Sequence, residues 1–293
     1  MAYYSGSAND MAEVRAALVA ACVAEGWAWN SSTEVLSKAP VFLRLQVVSG
    51  YLTLLGRTGV AEGDAPGVVR MGTVKLDTPI TYPVSYELFL FETEVYCVLR
   101  FAVDFYLWCA FGTSSVDGLP GTGTWCGASA MASPVNGIDI GINGGSGAAS
   151  SLVGCALFGR QLVSNSSTQD YWIHSDLDGG GWLSGLSAAG TLQGWRPMAP
   201  LMGILPNSWN SESVLLPIRA YKIRASNKLS LTVDLENARN TRIDNYTPGE
   251  VISIGGERWK IFPWYRKNVA ARNGGVSINH TGTFGWAIRY EGP

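Results

Sequence analysis

Apolar positions recur along this chain in two rhythms. Over 10–25 they fall at Met11, Val14, Leu18 and Cys22, the spacing of one helical stripe. Asn9 or Asp10 can cap that helix, Glu13 sits in its first turn where the helix dipole favours an anion, and Gly26 can take the left-handed conformation that ends it. Residues 27–100 change to the two-residue alternation of strands. The run 41–56 breaks at Ser49-Gly50, which predicts a hairpin. In 85–103, Tyr86, Leu88 and Leu90 alternate with Glu87, Phe89 and Phe91. After a polar turn at Glu92-Thr93-Glu94, Val95, Cys97 and Leu99 alternate with Tyr96, Val98 and Arg100. Both faces of this pair are largely apolar, so it is expected to be covered on both sides. The segment 104–112 fits a short helix or a further strand equally well. Strands are predicted again at 213–223, 228–235, 250–256, 258–265 and 283–290. Gly255-Gly256 should form a turn, and Pro217 and Pro263 should mark edges, bends or strand ends.

Between these blocks the pattern lapses. Residues 112–190 hold 17 of the 35 glycines and only 6 charged residues. A low-complexity linker and an ordered excursion with tight turns both fit, and long ordered loops are often functional. The expectation is a mainly β, α+β chain: antiparallel, sandwich-like lobes, a short N-terminal helix and a long glycine-rich ordered excursion. Its divisions would be 1–111 (helix plus antiparallel sheet), 112–200 (glycine-rich insertion) and 201–293 (basic β-rich lobe).

Charge alters the picture of what surrounds the chain. Charged residues make up 15% against about 25% in an ordinary soluble domain, and such a surface is easily buried against a neighbour. The 11 Trp and 12 Tyr suit interfaces, although a large β core also consumes rings. Residues 1–218 carry 9 Lys+Arg against 17 Asp+Glu, and residues 219–293 carry 12 against 6. An acidic body and a basic end can pair between copies or within one chain. The net charge of −2 argues against a general nucleic-acid binder. No signal peptide and no apolar run long enough for a membrane helix is present, so no membrane insertion is expected.

Candidate chemistry is sparse. Cys22, Cys97, Cys109, Cys126 and Cys155 are odd in number and lack CxxC spacing, which suits buried free thiols rather than a disulfide framework or zinc site. His174-Ser175-Asp176 lines up three catalytic residue types, but neighbours on a strand point to opposite faces and no GxSxG elbow accompanies them. Asp176-x-Asp178-Gly179 begins like a calcium loop, yet position 12 of that loop is Ser187 rather than Glu, so a glycine-rich turn is the simpler reading. Asn143–Gly147 lacks the Lys-Ser/Thr of a phosphate loop. Asp104, Asp139, Asp176 and Asp178 are conceivable glycosidase carboxylates, and Trp125, Trp172, Trp182 and Trp195 conceivable sugar platforms. Basic residues interleave with rings at Arg258, Trp259, Lys260, Trp264, Tyr265, Arg266 and Lys267, as in a single-strand binder or as cations lying over rings in a hairpin. No catalytic, cofactor or metal residue is assigned from this survey.

Three C-terminal stretches, 244–250, 258–267 and 277–290, resemble virion structural proteins of tailed bacteriophages and prophages. So do Glu94–Phe101, Tyr106–Gly112 and the helix leading into Val35–Lys38. The resemblance is to an uncharacterised family and carries no catalytic residues. It implies a non-enzymatic tail subunit (baseplate, tail tip or neck ring), assembled in the bacterial cytoplasm and contacting copies of itself and other tail proteins. A host-surface glycan is a further conceivable partner. A receptor-binding module, a capsid decoration protein and a glycan hydrolase are the alternatives. Under this reading Trp125, Trp182, Trp264, Tyr265, Arg266, Lys267 and Trp286 are the candidate interface anchors. Trp264→Ala is then expected to leave a folded monomer that assembles poorly.

Overall fold

A computed structural model describes residues 1–61, 65–73, 80–114, 116–131, 140–141, 156–158, 168–169, 171–184, 192–193, 214–264, 267, 277–278 and 284–293. In chain order the elements begin with β1 (Ala2–Ala8), α1 (Met11–Ala24), β2 (Ala28–Asn30), β3 (Val35–Lys38), β4 (Val41–Val48), β5 (Tyr51–Arg57) and β6 (Val68–Thr73). There follow β7 (Val84–Leu90), β8 (Glu94–Ala102), β9 (Phe105–Thr113), β10 (Thr124–Ala128), β11 (Ala130–Met131), β12 (Ile140–Gly141), β13 (Thr168–Gln169), β14 (Tyr171–His174) and β15 (Trp182–Leu183). The last are β16 (Leu192–Gln193), β17 (Leu216–Ile223), β18 (Leu229–Arg242), β19 (Val251–Ile254), β20 (Glu257–Pro263), β21 (Ser277–Ile278) and β22 (Phe284–Arg289).

The chain is mainly β, with three large, predominantly antiparallel sheets. Sheet I runs β1-β7-β8-β9-β10-β14-β15, sheet II runs β11-β6-β5-β4-β3-β2 with β13 also on β6, and sheet III runs β16-β17-β18-β22-β20-β19. Among the described residues only β11 and β13 pair in parallel, both with β6. A short ladder joins β12 to β21.

Sheet I is the middle layer, and its alternation shows why. On one face Phe89, Tyr96 and Trp108 meet sheet III: Trp286 lies 5.6 Å from Tyr96 and 5.0 Å from Trp108, and Phe262 lies 5.8 Å from Phe89 (ring centroids). On the other face, β9, β10 and β14 lie against β4–β6, while α1 covers β1 and β7. Because neither face of β8, β9 or β10 meets water, their sequences read as near-continuous apolar runs. One hydrophobic cluster extends from Ala8 to Tyr290, and the division at 111/112 falls inside β9.

Several local expectations hold. Asp10 caps α1 by accepting the Glu13 N–H at 2.8 Å, and the Glu13 carboxylate reaches back to the Asn9 N–H at 2.7 Å. Gly26 has φ +83°. Ser49 and Gly50 (φ 53° and 80°) and Gly255 and Gly256 (φ 62° and 85°) make the two predicted tight hairpins. Pro263 ends β20.

Other points need correction or resolution. Glu94 is not in a turn but is the first residue of β8. Segment 104–112 resolves as strand. The glycine-rich region contributes β10 and β14 to sheet I, with Trp125, Cys126, Tyr171 and Ile173 fully buried; much of the remainder of 132–170 lies outside the described residues. β18 continues seven residues past its predicted end at 235, through the polar run Glu236–Arg242.

Candidate interaction surface

α1 is apolar nearly all the way round. Met11, Val14, Leu18, Ala21 and Cys22 form its buried stripe, yet the opposite side offers Ala12, Ala16, Ala20, Val23 and Ala24 to solvent, with Val23 47% exposed. An isolated surface helix carries charge there, so an apolar back is the mark of a helix covered on both sides. The uncovered side opens into a groove of about 570 Å³ between the helix and Trp29 of β2, lined also by Val19 and Arg15. Arg15 is tied into sheet II by Glu34 at 2.6 Å and stands as the groove's polar boundary. The Glu34 carboxyl is held below its ordinary range, first by the Gln46 amide and then by Arg15, against the opposing effect of burial.

α1 rests against β1 and β2, and each of these is the terminal strand of its sheet. β1 is seven residues long, carries no charge and no proline, and pairs with β7 in unbroken register from Ala2↔Leu90 to Ala8↔Val84. Among the described residues nothing pairs with its outer edge, and Ser5, Gly6 and Ser7 are exposed. Natural sheets guard such edges with charges, bulges or prolines, none of which β1 has. Tyr4, in mid-strand, donates its hydroxyl to the Glu25 carboxylate at 2.7 Å, so α1 folds back alongside β1. Residues 1–30 together hold four charged side chains. Among the described residues, an unpaired sheet edge, an apolar helix face and a second short edge thus all border α1.

The anchors expected from the sequence lie elsewhere. Trp125, Trp264 and Trp286 are at 0–1% exposure inside the chain's own core, and a ring so placed has no surface to offer a partner. Trp264 stacks on Phe284, and Trp125 packs between Tyr96 and Phe158. Trp182 is half-buried; its ring lies over Gly56 of β5, where a Cβ would come within 2.4 Å of it. Lys267 is buried as well, its ammonium capping the carbonyls of Ile243 and Asp244. Tyr265 and Arg266 lie outside the described residues, as do Trp195, Asp139 and Asn143–Gly147. The physical reason for the reversal is the three-layer packing, which needs large rings on both faces of sheet I.

The remaining candidate chemistry is occupied structurally. The His174 ring accepts the Thr122 N–H at Nδ1 and meets Trp182 edge-on, and burial lowers its pKa; Ser175 Oγ accepts the Leu177 N–H instead of facing it. Asp178 is bound by Arg224 at 2.6 Å and Lys222 at 2.7 Å, which hold its carboxyl at about 2, so the calcium-like turn is filled by the protein's own cations. Among the described residues no three of His, Cys, Asp and Glu are placed to hold a metal ion. Cys22, Cys97, Cys109 and Cys126 are free and buried. Arg258, Lys260 and Arg242 lie over Tyr290, Tyr3 and Phe284 respectively, as cations covering rings in a hairpin. Burial opposes the charge on Lys260, but Glu87 and Tyr3 outweigh it and raise its pKa. No described helix is long and apolar enough to cross a membrane.

One buried carboxylate carries no signal in the sequence, where it stands in a polar run. Glu94, 1% exposed, accepts the backbone N–H groups of Glu236 and Asn237, the Asn237 amide and the Tyr96 hydroxyl, each at 2.9 Å. These N–H groups belong to the stretch of β18 where its pairing with β17 shifts register, and Arg239 caps the carbonyls of Leu235, Glu236 and Ala238 in the same stretch. Glu94 thus fastens sheet III to sheet I. No protein-family model matches the chain, and no curated protein matches it.

Proposed function

We propose that this chain is a non-catalytic subunit of a larger protein assembly, in the tail of a bacteriophage or prophage particle. The observation that carries the subunit reading is the uncovered apolar side formed by β1, α1 and β2. An edge strand without charge and a helix with an alanine and valine back are surfaces that proteins ordinarily cover. The placement in a phage tail rests on the C-terminal stretches that resemble virion proteins. The rigid three-layer body suits a mechanical part: its glycines, rings and buried ions are used to hold sheets together.

Particles purified from cells that encode the chain provide the test. Mass spectrometry should find the protein at a fixed number of copies per particle, retained through a density gradient. Its presence only in the particle-free lysate would overturn the reading. A glycan-binding role would require an exposed aromatic platform, and among the described residues Trp125 and Trp172 are in the core.

A further inference from the structure

We propose that Cys97 and Cys109 are a site of oxidative modification, a latent disulfide that staples the β8–β9 hairpin in the middle layer when the protein meets a peroxide. The proposal stands apart from the subunit reading. The two residues are direct partners in the β8–β9 ladder, and both are free and fully buried. Side chains alternate between the two faces of a strand. Tyr96 and Trp108 point to sheet III, so the thiols of Cys97 and Cys109 point the other way, under α1 and sheet II. Cys22 of α1 and Cys126 of β10 come to the same side, which brings together four of the five cysteines.

Register singles out one pair among the four. Thr113 donates its N–H to the Thr93 carbonyl at 2.9 Å, and stepping two residues at a time from there makes Cys97 and Cys109 a hydrogen-bonded pair. Such partners have Cα atoms about 5.5 Å apart, inside the span of about 4.4–6.8 Å that a disulfide bridges. The Cys109 thiol is already hydrogen-bonded to that of Cys97, so no atom separates the two sulfurs. Closure must draw the opposed Cβ atoms in by about 1 Å, which leaves a strained bond that is readily reduced again. Cys126 lies opposite Phe111, diagonal to Cys109, with a Cβ separation of about 7 Å that is too wide for the bond.

Burial sets when the bond forms. The hydrogen bond with Cys97 and then burial raise the Cys109 thiol well above its ordinary range, so little thiolate, the attacking form, exists near neutrality. The pair therefore stays reduced through synthesis in a reducing compartment and closes on sustained exposure to oxidant. One thiolate attacks a peroxide oxygen. The O–O bond breaks, a sulfenic acid forms, and the departing hydroxide takes up a proton as water. The second sulfur then displaces the hydroxyl: the S–S bond forms, the S–O bond breaks, and a second water leaves with the thiol's proton. Each sulfur has lost one electron, and the peroxide has gained both.

The test exposes the folded full chain to hydrogen peroxide, then denatures it in an alkylating agent and maps its peptides by mass spectrometry without reduction. The wild type should yield peptides joined through Cys97 and Cys109, lighter by two hydrogens and separated by dithiothreitol. The oxidised protein should melt about 3–8 °C higher than the reduced one, because the link restricts the unfolded chain. Cys109→Ser should show neither the link nor the shift. If that variant does not fold, reversal of the wild type's link and melting shift by dithiothreitol serves as the control. Full alkylation of both cysteines after exposure would overturn the proposal. So would a link from either one to another cysteine, or a linked protein that melts no higher than the reduced one.

Discussion

Replacing Trp286 by Ala would remove the ring that joins two layers. Trp286 is fully buried on β22 and touches Tyr96 of β8 and Trp108 of β9, both in sheet I. A buried Trp→Ala change costs about 3–5 kcal/mol, from the lost transfer energy and the cavity left behind. Two ring pairs, each adding about 0.5–1.5 kcal/mol beyond area, place this site at the upper end of that range. Set against a total stability of about 5–15 kcal/mol, the loss is severe. At about 2–4 °C per kcal/mol for a chain approaching this size, the melting temperature should fall by about 10 °C or more. Trp286→Phe keeps one ring in place and should cost about 1–3 kcal/mol. The assay is thermal and denaturant unfolding of both variants, followed by near-ultraviolet circular dichroism. A Trp286→Ala protein that melts within about 2 °C of wild type, a loss under about 1 kcal/mol, would refute the claim that this ring holds sheet III to sheet I.

Three further outcomes follow from the same packing. Trp264→Ala should lower stability by about 3–5 kcal/mol, reversing the expectation of a folded monomer that assembles poorly; chemical denaturation measures it. Gly285→Ala would set a Cβ 2.1 Å from the Phe262 carbonyl oxygen on the paired strand, so β20 and β22 must separate; a loss of about 1–3 kcal/mol or more should appear in the denaturation midpoint. Glu94 provides a pH signature. Burial raises its folded pKa above the unfolded value of about 4.3, in spite of four donors that favour the anion. The folded state then holds more protons through that window, so the carboxyl's contribution is complete below the unfolded value and is lost as pH rises through the folded one. Glu94→Gln lacks this dependence, and its stability relative to wild type should improve between pH 4.5 and 8; a relative decline would refute the direction.

Much of the architecture is legible in the sequence because local signals agree with tertiary ones. The helical stripe of α1, its acidic cap and Gly26 point to one element, and Ser49-Gly50 and Gly255-Gly256 supply turns that only a few residue types can make. The hairpin at 85–103 shows two apolar faces because two layers cover it. The obscure parts are those where pairing overrides composition. Five of the seven residues in Ala2–Ala8 are Ser, Gly or Ala, and β7 makes it a strand. Glu236–Arg242 looks like a loop because its polar side chains and shifted register are satisfied by Glu94, 142 positions away from Glu236, and by Arg239. The candidate surface is half legible: the stripe at Met11, Val14, Leu18 and Cys22 has helical spacing, while the alanines behind it suit buried and exposed positions alike. A ring needed by a neighbour and a ring needed by the chain's own middle sheet look alike in composition, and Trp125, Trp264 and Trp286 are of the second kind.

The central claim is that the β1, α1 and β2 side is covered in the working state. Hydroxyl-radical footprinting read by mass spectrometry tests it directly, by comparing free protein with purified particles. Oxidation of Trp29 and Val23 should fall several-fold on assembly, with Val103, 74% exposed in the turn between β8 and β9, as the internal comparison. Equal oxidation of Trp29 and Val23 in the two states would contradict the account.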